Sequence, residues 1–149
     1  MEFRDFSLLV KDTKVSKFAD GLERGVILAT KCEKCGSIYY PPRHDCPRCY
    51  SDEMSWIELQ GSGRLLSFTA IFVPPDHFAP DLDGTAPFSG YQYRPVPVGI
   101  VEMENGARVM GWIPDIPREK LQVGMALMPK AKVLEDGRAT ILLAIEGEA

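Results

Sequence analysis

All four cysteines of the chain lie in one stretch, CEKCGSIYYPPRHDCPRC, from Cys32 to Cys49. They form two Cys-x-x-Cys pairs, Cys32/Cys35 and Cys46/Cys49. Each pair sets two sulfurs on one side of a tight knuckle. Thiolates are the usual ligands of a structural zinc ion, which takes four in a tetrahedron. Gly36 gives the chain freedom to turn after the first pair. The ten residues from Gly36 to Asp45 link the knuckles. That link is shorter than the roughly 15–20 residues usual for four-cysteine zinc sites, but a short hairpin bridges it. A zinc ion held by four cysteines keeps no open position at which to activate water. Its contribution is folding energy for a ribbon too small to bury much core. Four thiolates also hold a single redox-active iron, so the residues alone leave a rubredoxin-like electron carrier open as an alternative.

No other constellation promises catalysis. His44 and His77 read as solvated loop residues, and Asp81 and Asp83 in APDLDGT read as turn residues. There is no nucleophile elbow, phosphate loop or dinucleotide fingerprint. Lys31, Lys34, Arg43 and Arg48 cluster around the knuckles in sequence, with Lys17 and Arg24 nearby. Such cations bind phosphates, including those of a nucleotide-like cofactor. They equally offset the negative charge of a four-thiolate centre and solvate its surface.

The elements that must position these groups are legible in outline. The chain has 149 residues, 45% hydrophobic and 26% charged, which suits one soluble domain or two small ones. Residues 1–50 hold nine Lys/Arg against seven Asp/Glu, and residues 51–149 hold eight against fourteen, so the metal half is mildly basic and the rest acidic. No apolar run approaches the roughly 20 residues needed to span a bilayer. The N-terminal stretch MEFRDFSLLVKDTK reads as neither secretory signal nor anchor. A cytoplasmic location is expected, where reduced thiols favour metal binding over disulfides.

Val15 to Gly25 predicts a short helix, capped by Ser16, with Phe18 and Leu22 on one face and Gly25 as its stop. Val26 to Lys31, SIYY and Glu53 to Leu59 predict strands around the knuckles. The Gly61 to Gly63 joint divides the chain into an N-terminal helix and zinc ribbon, 1–60, and a second domain, 61–149. After the joint the pattern is β throughout. Arg64 to Val73 is a long strand. Val96 to Ile113 reads as a hairpin with a two-residue turn at Asn105-Gly106. Pro117 to Gly124 is a turn or short helix, and Ala126 to Gly147 a second hairpin turning around EDGR. The fold class is therefore mainly β, closing as a small five-stranded antiparallel barrel of the OB type. One segment resists, Pro74 to Pro95, over twenty residues with five prolines and no clean period. Loops of that length are usually functional or disordered, and its aromatic residues predict order.

The order of features resembles a prokaryotic family. A short helix is followed by CEKCG, YYPPR, CPRC, a tryptophan, GSGRLLSFTAI, PVPVGIVEMENGARVMGWI and LQVGM. The family joins a rubredoxin-like zinc ribbon to an acyl-CoA-associated OB-fold. The likeness runs from about Val15 to Ile145, and departs in the longer Pro74–Pro95 segment. It implies a non-catalytic subunit in a stable complex with a thiolase-like enzyme, holding that enzyme's shape and helping acyl-CoA reach its site. The small subunit of the benzoylsuccinyl-CoA thiolase of anaerobic toluene breakdown looks like a similar protein. A thiolase needs a cysteine nucleophile, and every cysteine here is committed to metal, so the chemistry is expected on another chain.

On that reading Lys34, Arg43 and Arg48 are candidates to face the phosphates of coenzyme A. Phe72, Phe78, Phe88, Tyr91 and Tyr93 are candidates for the partner interface, where aromatic residues commonly dominate the energy. A single-stranded nucleic-acid-binding OB module is the remaining alternative. It fits poorly because phosphate binding needs cations and this half of the chain is acidic.

Overall fold

The computed structural model describes residues 14–72, 95–134 and 137–145. Helix α1 (Lys14–Glu23) ends as the sequence predicts. Gly25 takes φ of +79°, its N–H bonds Leu22 O, and Val26 N–H reaches back to Gly21 O. This pair of bonds satisfies the last carbonyls of a helix, and only glycine adopts the left-handed position without strain. The start differs from expectation. Ser16 lies inside α1 rather than at its cap. Phe18 is half-buried, its ring centroid 6.0 Å from that of Tyr40 at a tilt of 59°, and Leu22 packs on the buried core.

Three strands follow, β1 (Leu28–Cys32), β2 (Ile38–Tyr39) and β3 (Met54–Glu58). They form an antiparallel sheet in the order β2-β1-β3. The register pairs Thr30 with Tyr39 and with Trp56. β1 is central and buried at every position except Lys31. It delivers Cys32 at its end, while β2 leaves the first knuckle and β3 leaves the second.

The remaining strands are β4 (Gly63–Ile71), β5 (Val96–Met103), β6 (Arg108–Trp112), β7 (Ala126–Val133) and β8 (Ala139–Ala144). They close into a barrel in the order β4-β5-β6-β8-β7. The mainly β class and the five-stranded barrel agree with the sequence reading. The all-antiparallel description does not, because β6 and β8 run parallel. The reason is parity: five strands in a ring cannot alternate direction all the way round. The connection through the 3-10 turn Arg118–Lys120 carries the chain to β7, beside β4. That placement leaves the parallel seam between β6 and β8. Gly111 sits at the seam, where an added Cβ would lie 2.9 Å from Ile141 O.

The β5–β6 turn is also tighter in one way and longer in another than expected. Met103 N–H bonds Ala107 O, and Gly106 N–H bonds Met103 O. Glu104, Asn105 and Gly106 therefore form a three-residue loop, with positive φ only at Gly106 (+81°). The Asn105 side chain accepts a bond from Ala107 N–H at 3.1 Å. Met103 and Ala107 are both buried, so packing sets this register rather than the two-residue turn the dipeptide also allows.

The core runs through both halves. Leu65, Val101, Val109, Ile113, Leu127 and Leu143 fill the barrel, and Ile27, Ala29 and Leu59 belong to the same buried cluster. A bulge between Leu65 and Ser67 in β4 turns Phe68 toward that core. Helix α1 lies against β7, β8 and β1. No helix among the described residues is long and apolar enough to cross a membrane.

Candidate metal centre

The two knuckles are built alike. Cys32 N–H bonds Ser37 O at 2.9 Å and Cys46 N–H bonds Ser51 O at 2.8 Å. Gly36 N–H bonds Cys32 O and Tyr50 N–H bonds Cys46 O, both at 2.8 Å. The residue after each pair takes the left-handed conformation, with φ of +72° at Gly36 and +58° at Tyr50. The turn expected of Gly36 is present. Its counterpart at Tyr50 is a bulky side chain, 88% exposed, in a region that non-glycine residues occupy with strain.

This backbone brings the four cysteines to one point. Their sulfurs lie within 4.8 Å of one another. The contacts cross between knuckles, Cys32 to Cys49 at 3.5 Å and Cys35 to Cys46 at 3.4 Å. With metal–sulfur bonds of about 2.3 Å, tetrahedral sulfurs sit about 3.8 Å apart. The cluster fits that spacing. Cys32 and Cys46 are buried, and Cys35 and Cys49 are partly exposed.

The surroundings of the sulfurs differ. Ser37 Oγ lies 3.3 Å from Cys35 Sγ, and the Tyr39 hydroxyl 3.2 Å from Cys46 Sγ. Burial opposes the Cys46 thiolate. Hydrogen bonds from Tyr39 and from the backbone of Cys49 and Arg48 outweigh it and bring that thiol from 9.0 down to about 6. Ser37, through its side chain and backbone, likewise lowers Cys35. A backbone bond at Ser51 favours the Cys49 thiolate, but burial and the three neighbouring sulfurs push that thiol up to about 12. The Tyr39 hydroxyl is itself raised, chiefly by its bond to Cys46. Ser37 and Tyr39 were not singled out from sequence. The signal was present in SIYY, where alternate residues of a strand share one face.

The basic candidates surround this centre on its solvent side. Arg48 Nη1 lies 3.5 Å from Ser37 Oγ. The Arg43 guanidinium stands 5.9 Å from the Tyr39 ring, and Arg43 N–H bonds Thr30 Oγ1 at 2.8 Å. Lys34 is exposed on the first knuckle, as is His44 on the link. Of the aromatic candidates, Phe72 is 59% exposed. It lines a cleft of about 310 Å³ at the barrel rim, with Ile116 and several prolines. The Arg118 guanidinium sits 5.9 Å from its ring. Phe78, Phe88, Tyr91 and Tyr93, with His77, Asp81 and Asp83, lie outside the described residues. OB barrels bind ligands on the face of the second and third strands. Here that outer face carries Ile100 and Met110 in direct register, both exposed. Glu102 lies farther along it, 2.9 Å from Arg108.

Residues 19–55 match the family model described as the ChsH2 rubredoxin-like zinc ribbon domain, and residues 56–130 match that of the ChsH2 C-terminal OB-fold domain. A DUF35 domain-containing scaffold protein of Methanocaldococcus jannaschii is 30% identical over 117 residues, 77% of this chain and 74% of the relative. The chain belongs to the DUF35 family. Its DUF35 fold superposes on a solved chain described as an Ltp2-ChsH2(DUF35) aldolase, with a TM-score of 0.70. That likeness covers 90% of this chain and 95% of the other at 18% identity, and speaks to the fold alone. Another match is partial. The benzoylsuccinyl-CoA thiolase subunit BbsA of Thauera aromatica is 35% identical over 43 residues, 29% of this chain and 30% of that one.

Proposed function

We propose that this DUF35 chain is a non-catalytic scaffold subunit of a thiolase-like enzyme acting on acyl-CoA. In this reading Cys32, Cys35, Cys46 and Cys49 hold a structural zinc ion that fixes the ribbon of residues 1–60 beside the OB barrel of residues 61–149. One observation carries the reading: every cysteine of the sequence converges in a single cluster with sulfurs within 4.8 Å. No thiol is left in the chain to form an acyl thioester, so the nucleophile belongs to a partner. The relatives support the partner class, since one is described as a scaffold protein and another as a thiolase subunit. When bound, the zinc supplies cross-linking of two knuckles and no open coordination site. Lys34, Arg43 and Arg48 present cations to CoA phosphates or to an acidic partner surface. Phe72, with the aromatic residues of the 74–95 segment, contributes to the interface. The substrate is assigned at the level of an acyl-CoA thioester, with benzoylsuccinyl-CoA as the first to assay and the cytoplasm as its compartment.

Co-expression with a thiolase-like protein of the same genome, followed by native mass measurement, tests the reading. A hetero-oligomer with one zinc per chain and higher thiolysis activity than the partner alone is expected. A colourless, zinc-bearing monomer that leaves the partner's solubility and activity unchanged overturns it. A red protein containing iron replaces it with the electron-carrier reading.

A further inference from the structure

The four sulfurs divide by two independent properties. Cys32 and Cys46 are buried, while Cys35 and Cys49 are partly exposed. Cys35 and Cys46 each lie beside a hydroxyl, from Ser37 at 3.3 Å and Tyr39 at 3.2 Å. Arg48 Nη1 donates to the same Ser37 hydroxyl oxygen at 3.5 Å. Each exposed sulfur accepts a backbone bond, Cys35 from Ser37 and Cys49 from Ser51, but among the described residues no side-chain hydroxyl lies beside Cys32 or Cys49, whose own sulfurs are 3.5 Å apart. A hydrogen bond draws charge from a thiolate and weakens it as a nucleophile, as any lowering of its basicity does. Reach and reactivity therefore coincide at one position only.

We infer that Cys49 is the thiolate of this centre that electrophiles and peroxides attack first, and that its oxidation closes a disulfide with Cys32. The inference rests on the zinc reading above. The chemistry balances with a peroxide as oxidant. Cys49 sulfur takes one oxygen as the O–O bond breaks, giving a sulfenic acid and a hydroxide. The Cys32 thiolate then attacks that sulfur, the S–S bond forms, and a second hydroxide leaves. Two thiolates lose two electrons, the peroxide gains them, and solvent protons convert both hydroxides to water. Only Cys35 and Cys46 then remain as ligands, and the ion is released. Because Cys32 ends β1 and Cys49 lies on the second knuckle, the new bond keeps the knuckles joined while the metal leaves.

The full chain, loaded with zinc and quantified with a chromophoric chelator, is treated with substoichiometric N-ethylmaleimide or hydrogen peroxide and mapped by peptide mass. Labelling of Cys49 should exceed that of Cys35 by about tenfold, the scale of one outer-shell hydrogen bond at a metal site. Peroxide should release about one zinc per Cys32–Cys49 disulfide. Ser37→Ala should raise Cys35 labelling toward that of Cys49 without changing Cys49, and Ser37→Thr, which keeps the hydroxyl, should leave Cys35 protected. Equal or faster labelling of Cys35 in the unmodified chain overturns the inference, as does a disulfide between any other pair. A chain that binds no zinc instead overturns the zinc reading itself.

Discussion

The ribbon and the barrel are both small, yet they are held together differently. In the ribbon the fully buried residues at the knuckles are Cys32 and Cys46, and its aliphatic core is Ile27, Leu28 and Ala29 at the edge nearest the barrel. The barrel buries Leu65, Val101, Val109, Ile113, Leu127 and Leu143 almost completely. A three-stranded sheet with a two-residue strand cannot remove enough apolar area from water to offset its chain entropy. A metal cross-link does that work at a point. The barrel closes on itself, leaves no sheet edge, and relies on packing density. The difference teaches that the two halves should respond to different insults, although Ile27, Ala29 and Leu59 join them in one cluster.

Metal removal should separate them most widely. Apparent zinc-binding energies in small zinc domains are about 10–16 kcal/mol, and binding is folding there. Chelation, or Cys46→Ser, should unfold the ribbon and leave the barrel. Trp56 on β3 and Trp112 on β6 give each half its own reporter. Fluorescence of single-tryptophan variants should shift for Trp56 and hold for Trp112. An equal response at both breaks the comparison. Next in size, Leu143→Ala should cost about 2–5 kcal/mol by emptying part of the barrel core. Denaturant unfolding should show that loss while zinc stoichiometry stays at one.

Smaller changes sharpen the contrast within the ribbon. Tyr39→Phe removes the hydroxyl beside Cys46. The Cys46 thiol then rises from about 6 toward its ordinary value, so a larger share is protonated at neutral pH and competes with metal. Zinc affinity should fall about 10–100-fold, read by chelator competition, with barrel stability unchanged. The metal should also leave at a higher pH than in the unmodified chain as acid is added. The smallest effect is expected at Tyr50→Gly. Relief of a left-handed φ of +58°, offset by the entropy of glycine, should stabilise the ribbon by up to about 1 kcal/mol in thermal unfolding. No change there means the two knuckles are not equivalent in energy.

Local rules carried much of this fold. The helix stop at Gly25 and the turn at Gly36 follow from backbone sterics of single residues, and the cysteine cluster follows from ligand spacing. The strand pattern of residues 96–113 was legible because buried Val101, Met103 and Val109 alternate with exposed Ile100, Arg108 and Met110 and half-buried Glu102. The capping assignment of Ser16 failed, since the residue lies within the first turn of the helix. The length of the 104–106 loop was ambiguous, since Asn-Gly serves turns of two or three residues and burial of Met103 and Ala107 made the choice.

The sequence by itself determined that four thiolates converge and leave no cysteine for catalysis, because two Cys-x-x-Cys knuckles permit little else. It also pointed to a five-stranded closure, although the antiparallel description overlooked that a ring of five strands must contain at least one parallel pair. Only the tertiary structure decided which pair that was, since the seam depends on where the 113–125 connection sets β7 against β4. Only it placed Ser37 and Tyr39 beside two of the sulfurs and left Cys49 both reachable and without a hydroxyl. Those relations join residues on different strands and knuckles, and no local propensity specifies a distance across a folded sheet.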